Sequence, residues 1–95
     1  MEIKLVPVDK IIPHPDNPRL SLREDVVESL ASRMRERGFP ECHALLARPL
    51  NGSFQVTAGH HRLEAAKRAG LDAVPCWVRE MTDEEAFMIR RREYT

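Results

Sequence analysis

Ninety-five residues, 42% of them hydrophobic, suffice for one domain with a modest core that needs neither disulfide nor metal to fold. Fifteen basic residues balance fifteen acidic ones, which excludes the uniform positive field of a stand-alone nucleic-acid binder and leaves any such contact local. The sequence carries no signal peptide and no apolar run of membrane-spanning length. Cys42 and Cys76 lack CxxC spacing and fall on different predicted elements, so reduced structural thiols in a cytoplasmic protein are expected rather than a disulfide.

Residues 3–8 alternate apolar and polar positions and predict a first strand, after which Pro13, Pro15 and Pro18 break regular structure. Ser21 and Glu24 have capping-box spacing, and Val26, Val27, Leu30, Ala31 and Met34 follow on one helical face. A helix is therefore expected to run to about Arg37 and stop at Gly38, with Arg23, Arg33, Arg35 and Arg37 on its solvated side. Residues 38–43 form a linker. Residues 44–48 and 54–57 read as two strands joined through Asn51-Gly52, a strong hairpin signal. A further strand is expected at 74–78, and Thr82 and Glu85 have capping-box spacing for a last helix anchored by Phe87 and Met88.

The most informative stretch is 55–70. Phe54 and Val56 read as a half-buried strand, whereas Leu63, Ala66 and Ala69 recur at helical spacing until Gly70 closes the run. Thr57-Ala58-Gly59-His60-His61-Arg62 therefore sits on a strand-to-helix turn. The first N–H groups of the helix and the positive end of its dipole make such a turn a natural anion site. Gly59 allows close backbone approach to a ligand, His60 and His61 offer imidazoles, and Arg62 adds a permanent charge.

Residues 55–75, with Gly-His-His-Arg-Leu-Glu-Ala-Ala-Lys-Arg-Ala-Gly before the next strand, resemble the ParB/sulfiredoxin superfamily. Val6-Pro7-Val8 and Pro15-Asp16-Asn17-Pro18-Arg19 are similar to the opening strand and Asn-Pro-Arg loop of ParB-like domains, so the resemblance covers nearly all 95 residues. It implies a single α/β (α+β) domain over 1–95, a small mixed sheet with about three flanking helices. It also implies a nucleotide, CTP or ATP/ADP, held by its phosphates at Thr57, Gly59, His60, His61 and Arg62, with Arg19 reaching the same cleft.

Three further sets of residues bear on chemistry. In the family the 38–43 linker borders the nucleotide pocket, where Glu41 would serve as general base and His43 as its partner. Adjacent histidines on a helix point about 100° apart, and no paired Cys or His-x3-His spacing supports zinc. Magnesium bridging phosphates fits better, since it keeps waters and needs few protein ligands. Arg90, Arg91 and Arg92 form a local basic run, read either as a nucleic-acid contact or as charge favoured at a helix C-terminus.

The departures from the family are informative. His60 stands where sulfiredoxins carry their catalytic cysteine, so sulfinic-acid reduction is not expected. Partition-type members have Glu-Arg-Arg after the glycine and a later Glu-Asn-x-x-Arg, where this chain has His60-His61-Arg62 and Ile89-Arg90-Arg91-Arg92-Glu93; the second difference is at odds with their clamp-forming CTP chemistry. Kinase-like members with Gly-His-His-Arg carry an acidic residue where Ala58 stands. The expected role is nucleotide binding in DNA-associated processes such as partition or gene regulation, with DNA and a second copy as partners and slow turnover at most. The rival is a phosphotransferase or nuclease using Glu41, His60 and His61 with magnesium. A module that binds only a protein is the third reading. The chain is either a small stand-alone member or part of something longer.

Overall fold

The computed structural model describes residues 2–15 and 22–92; the side chains of Glu2, Glu41, Arg90, Arg91 and Arg92 fall outside that description. β1 (Glu2–Pro7) forms the expected strand, but its burial does not follow the apolar alternation of the sequence: Ile3, Lys4 and Leu5 are all exposed and Val6 is its buried residue. Past Pro7 a 3-10 turn (Val8–Lys10) leads into a short β2 (Ile11–Ile12) that the sequence reading did not anticipate. Two residues are too few to show periodicity. Ile11 is nonetheless buried and pairs in parallel with Phe54.

α1 (Glu24–Arg37) turns Val27, Ala31 and Met34 inward at helical spacing. Gly38 ends it at φ 78°, donating its N–H to the Met34 carbonyl at 2.8 Å, as the sequence predicts. The N-cap is Arg23, in extended conformation and with no side-chain cap hydrogen bond, while the expected Ser21–Glu24 capping box rests on Ser21, which lies outside the described residues.

β3 (Leu45–Leu50) and β4 (Ser53–Ala58) form the predicted hairpin, antiparallel and closed by Asn51 and Gly52, both at positive φ. That conformation suits Asn-Gly, and its twist matches the strands. β4 is not half-buried as the sequence suggested. Gln55, Val56 and Thr57 are all buried, so both faces of the strand are covered. β5 (Ala73–Val78) completes a five-stranded mixed sheet of order β1-β5-β3-β4-β2, with β1/β5 and β3/β4 antiparallel and β3/β5 and β2/β4 parallel.

α2 (His60–Arg68) packs beside α1 and buries Leu63, Ala65 and Ala66. It ends in a Schellman motif: Gly70, at φ 78°, donates to the Lys67 carbonyl and Leu71 to that of Ala66. Arg68 ties the two helices together, its guanidinium engaged by Glu24, Glu28 and Glu64; these carboxylates raise its pKa further above the ordinary arginine value. Val27, Ala31, Met34, Leu45, Val56, Leu63, Val74 and Cys76 belong to one core. Burial pushes the Cys76 thiol up to about 11, whereas Cys42 is exposed, and neither is in a disulfide.

α3 (Asp83–Arg92) begins with the predicted capping box: the Glu85 N–H donates to Thr82 Oγ1 at 3.1 Å and the Thr82 N–H to Glu85 Oε1 at 2.9 Å. Its anchors differ in part from those expected. Phe87 and Met88 are 40% and 57% exposed, Phe87 meeting the His14 ring at a centroid distance of 6.5 Å, and Ala86 is the fully buried contact. The helix start is fastened instead by Arg48, buried in β3, which donates to Gln55 Oε1 at 2.8 Å, the Met81 carbonyl at 3.1 Å and Asp83 Oδ1 at 2.7 Å.

Candidate functional site

The turn from β4 into α2 is built around Gly59. Its φ of 99° lies where L side chains are strained, and a Cβ there would stand 2.7 Å from Leu45 Cδ2. The glycine thus lets the turn close onto β3. The first intrahelical bond runs from the Leu63 N–H to the Gly59 carbonyl at 3.0 Å. The N–H groups of His60, His61 and Arg62 are therefore the helix-start donors that no helical carbonyl can satisfy.

Two cavities meet at Arg62. One, of about 610 Å³, is lined by the turn itself, by Arg23 at the N-cap of α1 and by Val26 and Leu30 of that helix. The other, of about 480 Å³, is lined by Arg33, Met34 and Arg37 of α1, by Cys42 and His43, and again by Leu30 and Arg62. No aspartate or glutamate lines either among the described residues, so Arg23, Arg33, Arg37 and Arg62 give this cleft one sign of charge. Arg62 has no ion-pair partner among the described residues. Arg23 is paired with Asp25 at 2.9 Å, and that guanidinium holds the Asp25 carboxyl below the usual carboxylate range.

The residues singled out from sequence fall in different places. His60 is 4% exposed and its Nε2 accepts the His14 N–H at 3.2 Å. His61 is half-buried and its Nε2 accepts the Arg23 N–H at 3.0 Å. Thr57 is fully buried, its hydroxyl donating to the Leu46 carbonyl at 3.3 Å, so it supports the turn from inside the sheet. Glu41 lies on a 3-10 turn (Glu41–His43) whose later residues reach the Arg62 cavity, and its side chain lies outside the described residues. Arg19 also lies outside them, and for Arg90, Arg91 and Arg92 only the backbone, within α3, is described. Arg33 and Arg37 were missed, because four-residue spacing on a helix reads equally well as a solvated face. Their proximity to Gly38 was the available signal, since it puts them beside the chain's return to the sheet. Among the described residues no group of three His, Cys, Asp or Glu side chains is placed to hold a metal ion.

Comparison with known proteins follows this geometry. The family model of the ParB N-terminal domain matches residues 1–93. The chromosome-partitioning protein ParB of Caulobacter vibrioides is 40% identical over 80 residues, which span 81% of this chain and 26% of that protein. C-terminally truncated ParB from Caulobacter crescentus, solved with CTP-gamma-S, superposes with a TM-score of 0.85 at 35% identity, covering all of this chain and 53% of that one. The same protein complexed to the centromeric parS site gives 0.75 at 33% identity, over 92% of this chain and 44% of that one. Sulfiredoxin from Arabidopsis thaliana gives 0.76 at 25% identity, covering 94% and 97% of the two chains. The mixed sheet with its three helices is thus the fold shared by ParB N-terminal domains and sulfiredoxin, and the chain belongs to the ParB N-terminal domain family.

Proposed function

We propose that this domain binds a nucleotide, CTP foremost, by its phosphates at the turn into α2, and that it serves DNA partition or a related DNA-associated process. The observation carrying this reading is the superposition, along the entire chain, on a ParB solved with CTP-gamma-S. The residues present fit such a ligand. Helix-start amides of α2 and the Arg62 guanidinium supply anion donors, and Arg33 and Arg37 extend the positive lining along α1. With no metal-holding cluster among the described residues, a magnesium ion would be held by phosphate oxygens and water. DNA and a second copy of the chain are the partners this reading implies, the first supported by the parS complex of the relative.

The binding reading is preferred to phosphotransfer or nuclease chemistry because His60 is buried and already engaged with the chain at His14. A proton-transferring imidazole must instead reach the substrate. The test is calorimetric titration with CTP, ATP, ADP and GTP, each with and without magnesium, on the wild type and on Arg62→Ala. Saturable binding of CTP is expected, weakened on the order of tenfold or more in the variant, as for a lost charge-assisted hydrogen bond. Absence of binding by every nucleotide overturns the proposal.

A further inference from the structure

We propose that His60 and His61 are positioning residues: each ring, bare at Nε2 and protonated on Nδ1, accepts a main-chain N–H, and together they clasp the chain at His14 and at Arg23 onto the turn. The two bonds, 3.2 and 3.0 Å, run to residues 46 and 38 positions away in sequence. Successive helical residues project about 100° apart. Adjacent histidines at the start of α2 therefore suit two different segments, the exit of β2 for the buried ring and the entry of α1 for the half-buried one.

The Arg23 amide explains why a histidine serves here. It is the N-cap N–H of α1, the donor that an N3 glutamate satisfies in a capping box, and the Arg23 side chain makes no cap hydrogen bond. The His61 imidazole takes the role of that glutamate from a neighbouring helix. It thereby fixes the start of α1 against the turn whose amides and Arg62 face the cleft.

The clasp requires a lone pair at Nε2, so it holds only while the rings are neutral. Around His61 stand Arg23 with its paired Asp25, His60 and Arg62, while Glu24 of the same helical turn is engaged by Arg68; His60 faces His14. Protonation of His61 would remove the acceptor and set an imidazolium beside two arginines. Acid thus loosens α1 from the turn. The coupling of this clasp to ligand affinity rests on the nucleotide-binding reading, whereas the clasp itself does not.

The test begins with the whole chain and no nucleotide. Long-range nitrogen–proton spectra near neutral pH are expected to place the ring protons on Nδ1. The Arg23 amide resonance should follow the His61 ring on acidification and lose its hydrogen-bonded shift in His61→Leu. In His61→Gln, whose Oε1 replaces the Nε2 acceptor, it should stay constant. Ring protons on Nε2, or an Arg23 amide indifferent to His61, overturn the clasp. With CTP as the probe, wild-type affinity relative to His61→Gln is expected to fall about three- to tenfold on acidification, over the pH range in which the Arg23 amide resonance moves. A relative affinity that rises over that range means that the imidazolium grips phosphate, and overturns the positioning role. No CTP binding at any pH, with the Arg23 amide still following His61, upholds the clasp and sinks the nucleotide reading.

Discussion

Gly59 shows how one residue can be picked out from sequence for one reason and be required by the fold for another. The Gly-His-His-Arg stretch marked it as a point of close approach to a ligand, and the structure adds a close approach to Leu45, inside the protein. Two separate costs attach to a side chain here, the positive φ and the 2.7 Å contact. Gly59→Ala is therefore expected to lower stability by about 2–3 kcal/mol, read as the shift of the urea midpoint. Adding Leu45→Ala should give less than the sum of the two single losses, because it relieves the contact and leaves the backbone strain. A neutral Gly59→Ala would show that the turn relaxes freely. The histidines were legible as donors or acceptors but their main-chain partners were not, because the amides they bind lie 46 and 38 positions away, beyond any local pattern.

At the scale of elements, local signals were read well and long-range fastenings were not. Gly38, Asn51-Gly52, Gly70 and the Thr82–Glu85 box end, turn or start the elements that the sequence assigned to them. α3 is the counter-example. Its apolar residues suggested Phe87 and Met88 as anchors, while Ala86 and a buried arginine from another strand hold it. Arg48→Leu strands Gln55 and frees the start of the helix, and should cost about 2 kcal/mol. Amide exchange is expected to rise in α3 well before α1, and a uniform rise would contradict the fastening. The cap itself is sensitive to acid. The Thr82 amide first, and Arg79 after it, hold the Glu85 carboxyl below its ordinary range. A depressed folded value means the contribution is full above the unfolded carboxylate pKa of about 4.3 and is lost as pH falls through the folded one.

For the molecule as a whole, balanced charge hides a segregated one. Glu24, Glu28 and Glu64 gather on Arg68 where α1 and α2 join, while Arg23, Arg33, Arg37 and Arg62 line the cleft between the same helices and the sheet. Composition could not show this, because it is the packing of α1 beside α2 that sorts the charges. Topology adds the rest. β3 begins where β4 ends, so the 3-10 turn before β3 and the glycine turn after β4 arrive at the same end of these two strands, beside the end of α1. The fold class was legible through the 55–75 segment, whereas the size and lining of the cleft were not. The chain spans about a quarter to a third of the curated relatives it matches, so the titration that matters most concerns this domain alone. Amide spectra of the chain followed during addition of CTP should show saturable shifts at Gly59, His60, His61, Arg62 and Leu63 and along the Arg33–Arg37 side of α1. Saturable shifts confined to the separate cavity of about 520 Å³ at His14, Arg48 and Phe87, or none anywhere, would contradict a phosphate site at the turn.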